Sequence, residues 1–128
     1  MIKLYKGRRV GGQFVVSVWL ASENNGAGPT YSHILDPENS RLLHDIARTF
    51  SWGDNSPETK QLALAILLED MGTHLADKFY NDFARDILAE LPLDKFQLGT
   101  GHILHMLGGW SGPSRSELFA LMSDQMVA

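Results

Sequence analysis

There is no cysteine among the 128 residues. That absence removes disulfides, thiolate zinc sites, iron–sulfur clusters and cysteine nucleophiles together, and it fits a reducing compartment. Long apolar runs are missing as well. None approaches the ~20 residues a membrane-spanning helix needs, and the basic opening Met1–Val10 has no signal-type apolar block behind it. An excess of positive charge is also lacking. Eleven Lys and Arg stand against fifteen Asp and Glu, a net charge of −4, which argues against a broad nucleic-acid surface and direct binding of DNA or RNA. The familiar catalytic and phosphate-binding patterns do not occur. His-Glu-x-x-His and Gly-x-x-x-x-Gly-Lys are absent, and in Gly109-Trp110-Ser111-Gly112-Pro113 a proline takes the place of the last glycine of a nucleophile elbow. The expectation is a soluble, cytoplasmic protein with no membrane segment, no catalytic residue, no metal and no cofactor.

What is present is an ordinary globular composition, 44% hydrophobic and 20% charged. The length suits one domain over residues 1–128, enough to bury roughly two-thirds of the unfolded surface. Charge is uneven along the chain. Lys3, Lys6, Arg8 and Arg9 fall in the first ten residues with no acid, whereas the stretch from Asp54 to Lys95 is predominantly acidic. Residues 1–36 read as strands. Ile2, Leu4 and Tyr5 begin one, Gly7 and Gly11-Gly12 signal turns, Phe14–Leu20 is β-branched and aromatic, and Thr30–Leu35 follows a Gly/Asn-rich loop. Three antiparallel strands are the simplest arrangement, because the loops are too short for parallel crossovers.

Residues 38–107 read mainly as helices, with a C-terminal extension helix in 108–128. Glu38–Arg48 carries apolar residues at helical spacing. Ser56 suits an N-cap, with Pro57 at the first helical position. Leu62–Leu68 is apolar on every side, so Leu64, Ile66, Leu67 and Leu68 are expected in the core. Gly72 ends that helix, and Leu75–Leu91 is amphipathic up to Pro92. Phe96–Leu98 suits a short extended segment, Gly101–Leu107 a small helix, and Ser114 with Glu117 a capping box for a helix through Met126. The fold class is α+β, a small N-terminal antiparallel sheet of about three strands packed against a C-terminal set of helices.

Several motifs together resemble a family of short bacterial and phage proteins of unknown function: Tyr5-Lys6-Gly7-Arg8, Phe50-x-Trp52-Gly53, the Ser56-Pro57 helix start, Gln61-Leu62-Ala63-Leu64-Ala65-Ile66-Leu67 and Tyr80-x-x-Phe83. The likeness spans roughly Tyr5 to Ile103 and is densest from Phe50 to Phe83. Asp54-Asn55 stands where the family typically has Tyr-Gly-Gly, and Glu58-Thr59-Lys60 alters the approach to Gln61. The resemblance implies a β-plus-helix fold and an origin in bacteria or their mobile elements, and no reaction.

Candidate functional residues are few. A binding site is expected at Arg8, Arg9, Trp52, Asp54 and Trp110. The arginines are possible anion contacts, and the tryptophans sit in glycine-bearing loops as either core plugs or exposed anchors. The resulting expectation is a non-catalytic small binding protein, encoded by a phage or mobile element, that docks onto a host protein or protein complex, for example as an anti-defence inhibitor of the anti-CRISPR kind. One alternative is a binder that sequesters a nucleotide or phosphate signal, with Arg8 and Arg9 on the phosphate and Trp52 stacked on a base. Another is a metal-dependent enzyme using His102 and His105, which lie three apart. A homo-oligomer stays open.

Overall fold

The structure, a computed structural model, describes residues 2–21, 30–99 and Ile103. Four antiparallel strands form one sheet: β1 (Ile2–Val10), β2 (Gln13–Ala21), β3 (Thr30–Leu35) and β4 (Lys95–Gly99), in the order β3-β2-β1-β4. The β1–β2 hairpin closes through Gly11 and Gly12 at φ 58° and 83°, a conformation at both central positions that favours glycine and matches strand twist. Three helices are described, α1 (Glu38–Leu43), α2 (Pro57–Met71) and α3 (Thr73–Asp86), followed by a 3-10 turn at Leu88–Glu90.

The α+β class and the three N-terminal strands agree with the sequence reading, but the sheet has a fourth strand. Phe96–Leu98 belongs to β4, which pairs along β1 from Arg8↔Lys95 to Leu4↔Gly99. A five-residue strand with only two buried side chains, Phe96 and Leu98, carries a weak local pattern. Its place is set by Gly7, where an added Cβ would lie 2.1 Å from the Phe96 ring, so the ring can cross β1 only over a residue without a side chain.

Two helices are shorter than their periodicity suggests. Helix α1 ends at Leu43 rather than Arg48, and beyond it the Ile46 and Ala47 N–H groups both donate to Gln61 Oε1 at 2.9 Å. Gln61 is fully buried and donates its own Nε2 to Ser40 Oγ at 2.7 Å, so this side chain replaces the helical acceptors. Helix α3 stops at Asp86, and the 3-10 turn carries Leu88 into the core instead. Helix α2 keeps its expected start, with Ser56 Oγ accepting from the Thr59 N–H and Pro57 in the first turn. Leu64, Ile66 and Leu67 are fully buried, whereas Leu68 is only partly so.

Strand alternation divides the sheet into two unlike faces. Tyr5, Val16, Val18, Phe96 and Leu98 point inward onto the helices and join one core with Leu62, Leu67, Phe79, Phe83 and Ile103. Tyr5 donates to Asp70 Oδ1 on α2 at 3.0 Å, and Lys3 Nζ donates to the Glu69 carbonyl at 2.9 Å, which ties β1 to that helix. Among the described residues, no helix is long and apolar enough to cross a membrane.

Candidate functional site

The outward face of the sheet gathers side chains of a different kind. Register places Tyr31, Trp19 and Leu4 in one row across the strands, Ile34, Ser17, Lys6 and Gln97 in the next, and Val15, Arg8 and Lys95 in a third. A β-bulge sets the first row. The register shifts between Val18 and Trp19, leaving Ser32 unmatched, so Tyr31 faces Trp19 rather than Leu20 and turns to the outer side. The Trp19 and Tyr31 rings then meet edge to face at 5.6 Å. Lys6 Nζ lies 4.3 Å from the Trp19 ring, and Trp19 Nε1 donates to Ser17 Oγ at 2.9 Å. Tyr31 is 51% exposed and Ile34 48%. These residues line a shallow groove of about 380 Å³.

Charge on this face has one sign. Lys3, Lys6, Arg8, Arg9 and Lys95 lie in the four strands, which contain none of the fifteen acids of the chain. Lys6, Arg8 and Lys95 point outward, and among the described residues no carboxylate pairs with any of the three. The face is therefore locally cationic although the protein is acidic overall, because every described carboxylate lies in the helices and loops.

Among the described residues, the expected site residues do not form one cluster. Arg8 is on the outer face, and Arg9, its neighbour in the strand, turns to the opposite side and lies over the Phe14 ring at 5.1 Å. Trp52 is 0% exposed and stands between Phe14 and Phe96, edge to face with both at 4.7 and 4.8 Å. Its Nε1 donates to the Pro92 carbonyl at 2.9 Å. Of the two readings left open for it, Trp52 is a core plug, so it offers no exposed binding contact and a base cannot stack on it. The loop chemistry of Phe50-x-Trp52-Gly53 left both readings open; the edge-to-face cluster of three rings on the inner face, formed by residues far apart in the chain, was not visible locally.

Asp54 has a structural task. It accepts from Ser56 Oγ and Thr59 Oγ1, both at 2.6 Å, and from the Ser56 N–H and Ser51 Oγ at longer range, bracing the start of α2. Desolvation pushes its pKa up, but the Ser56 and Thr59 hydroxyls, the Ser56 N–H and the Ser51 hydroxyl together outweigh this and hold it below the usual carboxylate value. Asp54 also borders a cavity of about 590 Å³ beside the hairpin turn, with Phe14, Leu35, Pro37 and Phe50 as apolar walls. Trp110, His102 and His105 lie outside the described residues, as do the expected extension helix and, apart from Ile103, the expected small helix from Gly101. Among the described residues no three His, Cys, Asp or Glu side chains converge on one point.

Sequence reasoning missed Trp19 and Tyr31. Val15-Val16-Ser17-Val18-Trp19 reads as a core strand, yet Ser17 marks the odd-numbered positions as the outer side, and Trp19 shares that parity.

The sequence profile of a family of unknown function, DUF6166, matches residues 5–109. The chain belongs to this family. No curated protein and no solved structure matches the chain. Membership in DUF6166 agrees with the sequence resemblance to a family without known activity, and the profile takes in the whole sheet apart from the first residues of β1.

Proposed function

We propose that this DUF6166 protein is a non-catalytic binding protein that docks onto an anionic macromolecule through the outer face of its sheet. One observation supports the reading above the others: the outward side chains of the four strands combine Lys6, Arg8 and Lys95 with the rings of Trp19 and Tyr31, and no acid interrupts them. Tryptophan, tyrosine and arginine are the groups that dominate binding hot spots, and the two lysines beside them add the charge that draws an anion. A face whose charge opposes that of the whole molecule steers one class of partner toward it and turns others away.

Retention on heparin tests the proposal. A protein of net charge −4 has no general reason to bind a polyanion, so retention would report the local face. The expected result is elution at a salt concentration that drops for Lys6→Glu, Arg8→Glu and Lys95→Glu and stays unchanged for Lys78→Glu on α3. Flow-through of the unmodified protein, or equal effects of all four substitutions, would remove the outer face as the docking surface.

A further inference from the structure

Resting on that docking reading, we infer that the anionic partner is a single-stranded nucleic acid, its bases against Trp19 and Tyr31 and its phosphates against Lys6, Arg8 and Lys95. The arrangement of the two kinds of group decides between partner classes. A protein partner is best met by an apolar centre ringed with charge on all sides. Here the groups are separated across the sheet. The rings lie on β2 and β3, the cations on β1 and β4, and Ser17 and Gln97 lie in the row that joins them. A nucleic-acid strand has the same division, with π faces along one side and phosphates along the other. Partly exposed rings on the face of a sheet stack on bases of any sequence, and neighbouring cations follow the backbone.

Lys6 links the two halves. Without a partner its ammonium lies over the Trp19 ring. A base taking that ring would displace the ammonium toward the cationic half, where a phosphate can receive it. The net charge, which argued against nucleic acid from composition alone, does not decide the matter. The described acids lie in the loops and the helical layer and none lies in the strands, so the sum over the chain is not the charge that a partner meets on the outer face.

Fluorescence anisotropy of labelled oligo-dT and oligo-rU of equal length, with the full chain, tests the inference. Both strands should bind, and a duplex of the same length should bind more weakly. The plot of log affinity against log salt should have a slope of about −2, for three phosphate contacts on a single strand. Trp19→Ala and Tyr31→Ala should each weaken binding by roughly tenfold at unchanged slope, while Arg8→Ala lowers the slope by about 0.7. Trp19→Phe keeps a ring and should recover most of the affinity, which separates stacking from misfolding. Preference for oligo-rU over oligo-dT would assign the partner as RNA, and the reverse as DNA. Equal binding of the duplex, or displacement of oligo-dT by polyglutamate as effectively as by unlabelled oligo-dT, would overturn the inference while leaving docking on an anionic macromolecule in place. Absence of binding to oligonucleotide, polyglutamate and heparin alike would overturn both.

Discussion

Trp19 and Trp52 carry the same side chain and stand on opposite sides of one sheet. Trp52 fills the inner side, closed in by Phe14 and Phe96 with its indole N–H on the Pro92 carbonyl. Trp19 lies on the outer side, in contact with a lysine and a half-exposed tyrosine. The difference teaches where function is separable from folding. On the inner side the rings of Phe14, Trp52 and Phe96 hold one another, so a change there costs the whole domain. On the outer side the groups are anchored by strand pairing and add little to the core, which leaves them available for a partner. If this division holds, substitutions on the two faces should fall into two groups, one losing stability and the other losing binding.

The largest expected effect is at Trp52. Trp52→Ala removes a fully buried ring from an edge-to-face cluster of three and should cost about 3–5 kcal/mol in urea unfolding, the range for large aromatics in cores. A loss below about 1 kcal/mol would mean that the plug is dispensable and the two faces are not distinct.

The fold could be read from the sequence where a signal was local. The strand of Phe14–Leu20, the Ser56-Pro57 helix start and the apolar centre of α2 depend on residues close in the chain. Gln61 shows what could not be read this way. Within an apolar helix it looks like an interruption, yet it is fully buried and accepts from Ile46 and Ala47 while donating to Ser40, which stops α1 early. β4 likewise depends on Gly7 meeting Phe96 across nearly the whole domain. The site was legible only in part. Of the proposed docking face only Arg8 was among the expected residues, from the basic run in the first ten positions, while Trp19 and Tyr31 required the parity of β2 and a bulge opposite it.

Gln61 gives the second prediction. Gln61→Leu preserves volume and apolar packing but leaves two backbone N–H groups without their acceptor. The expected cost is about 1–3 kcal/mol in the same urea measurement, the penalty for buried donors left unsatisfied. A neutral or stabilising result would mean that the chain after α1 can rearrange to find other partners.

The third effect depends on pH and comes from the inner face. Burial raises the Tyr5 hydroxyl above its ordinary pKa of 10.0, and the negative charge of Asp70, the hydrogen bond to it and Glu69 push in the same direction. The unfolded chain releases this proton near 10.0 and the folded chain retains it, so the unfolded state binds fewer protons above that pH. Stability from this group is therefore complete below 10.0 and falls as pH rises from there toward the raised folded value. The slope attributable to it is about 1.4 kcal/mol per pH unit. In Tyr5→Phe that part of the alkaline loss should vanish. An unchanged alkaline limb would show that the phenol ionises as easily inside the protein as outside.

The smallest effect belongs to Trp19, and it completes the comparison. Trp19→Ala gives up a partly exposed ring, its edge contact with the Tyr31 ring, one cation–π contact and one hydrogen bond to Ser17, while the backbone pairing to Leu4 and Tyr31 survives. Exposed cation–π contacts contribute roughly 0.5–1 kcal/mol, and with the hydrogen bond and the Tyr31 contact, both partly exposed to water, a total loss of about 1–2 kcal/mol is expected. The heparin elution and oligonucleotide affinity of the same variant should change far more than its urea midpoint. A stability loss of about 3 kcal/mol or more would instead place Trp19 in a packed environment equal to that of Trp52. Both faces of the sheet would then serve the core, and a strand free of acids would have to be explained by folding alone.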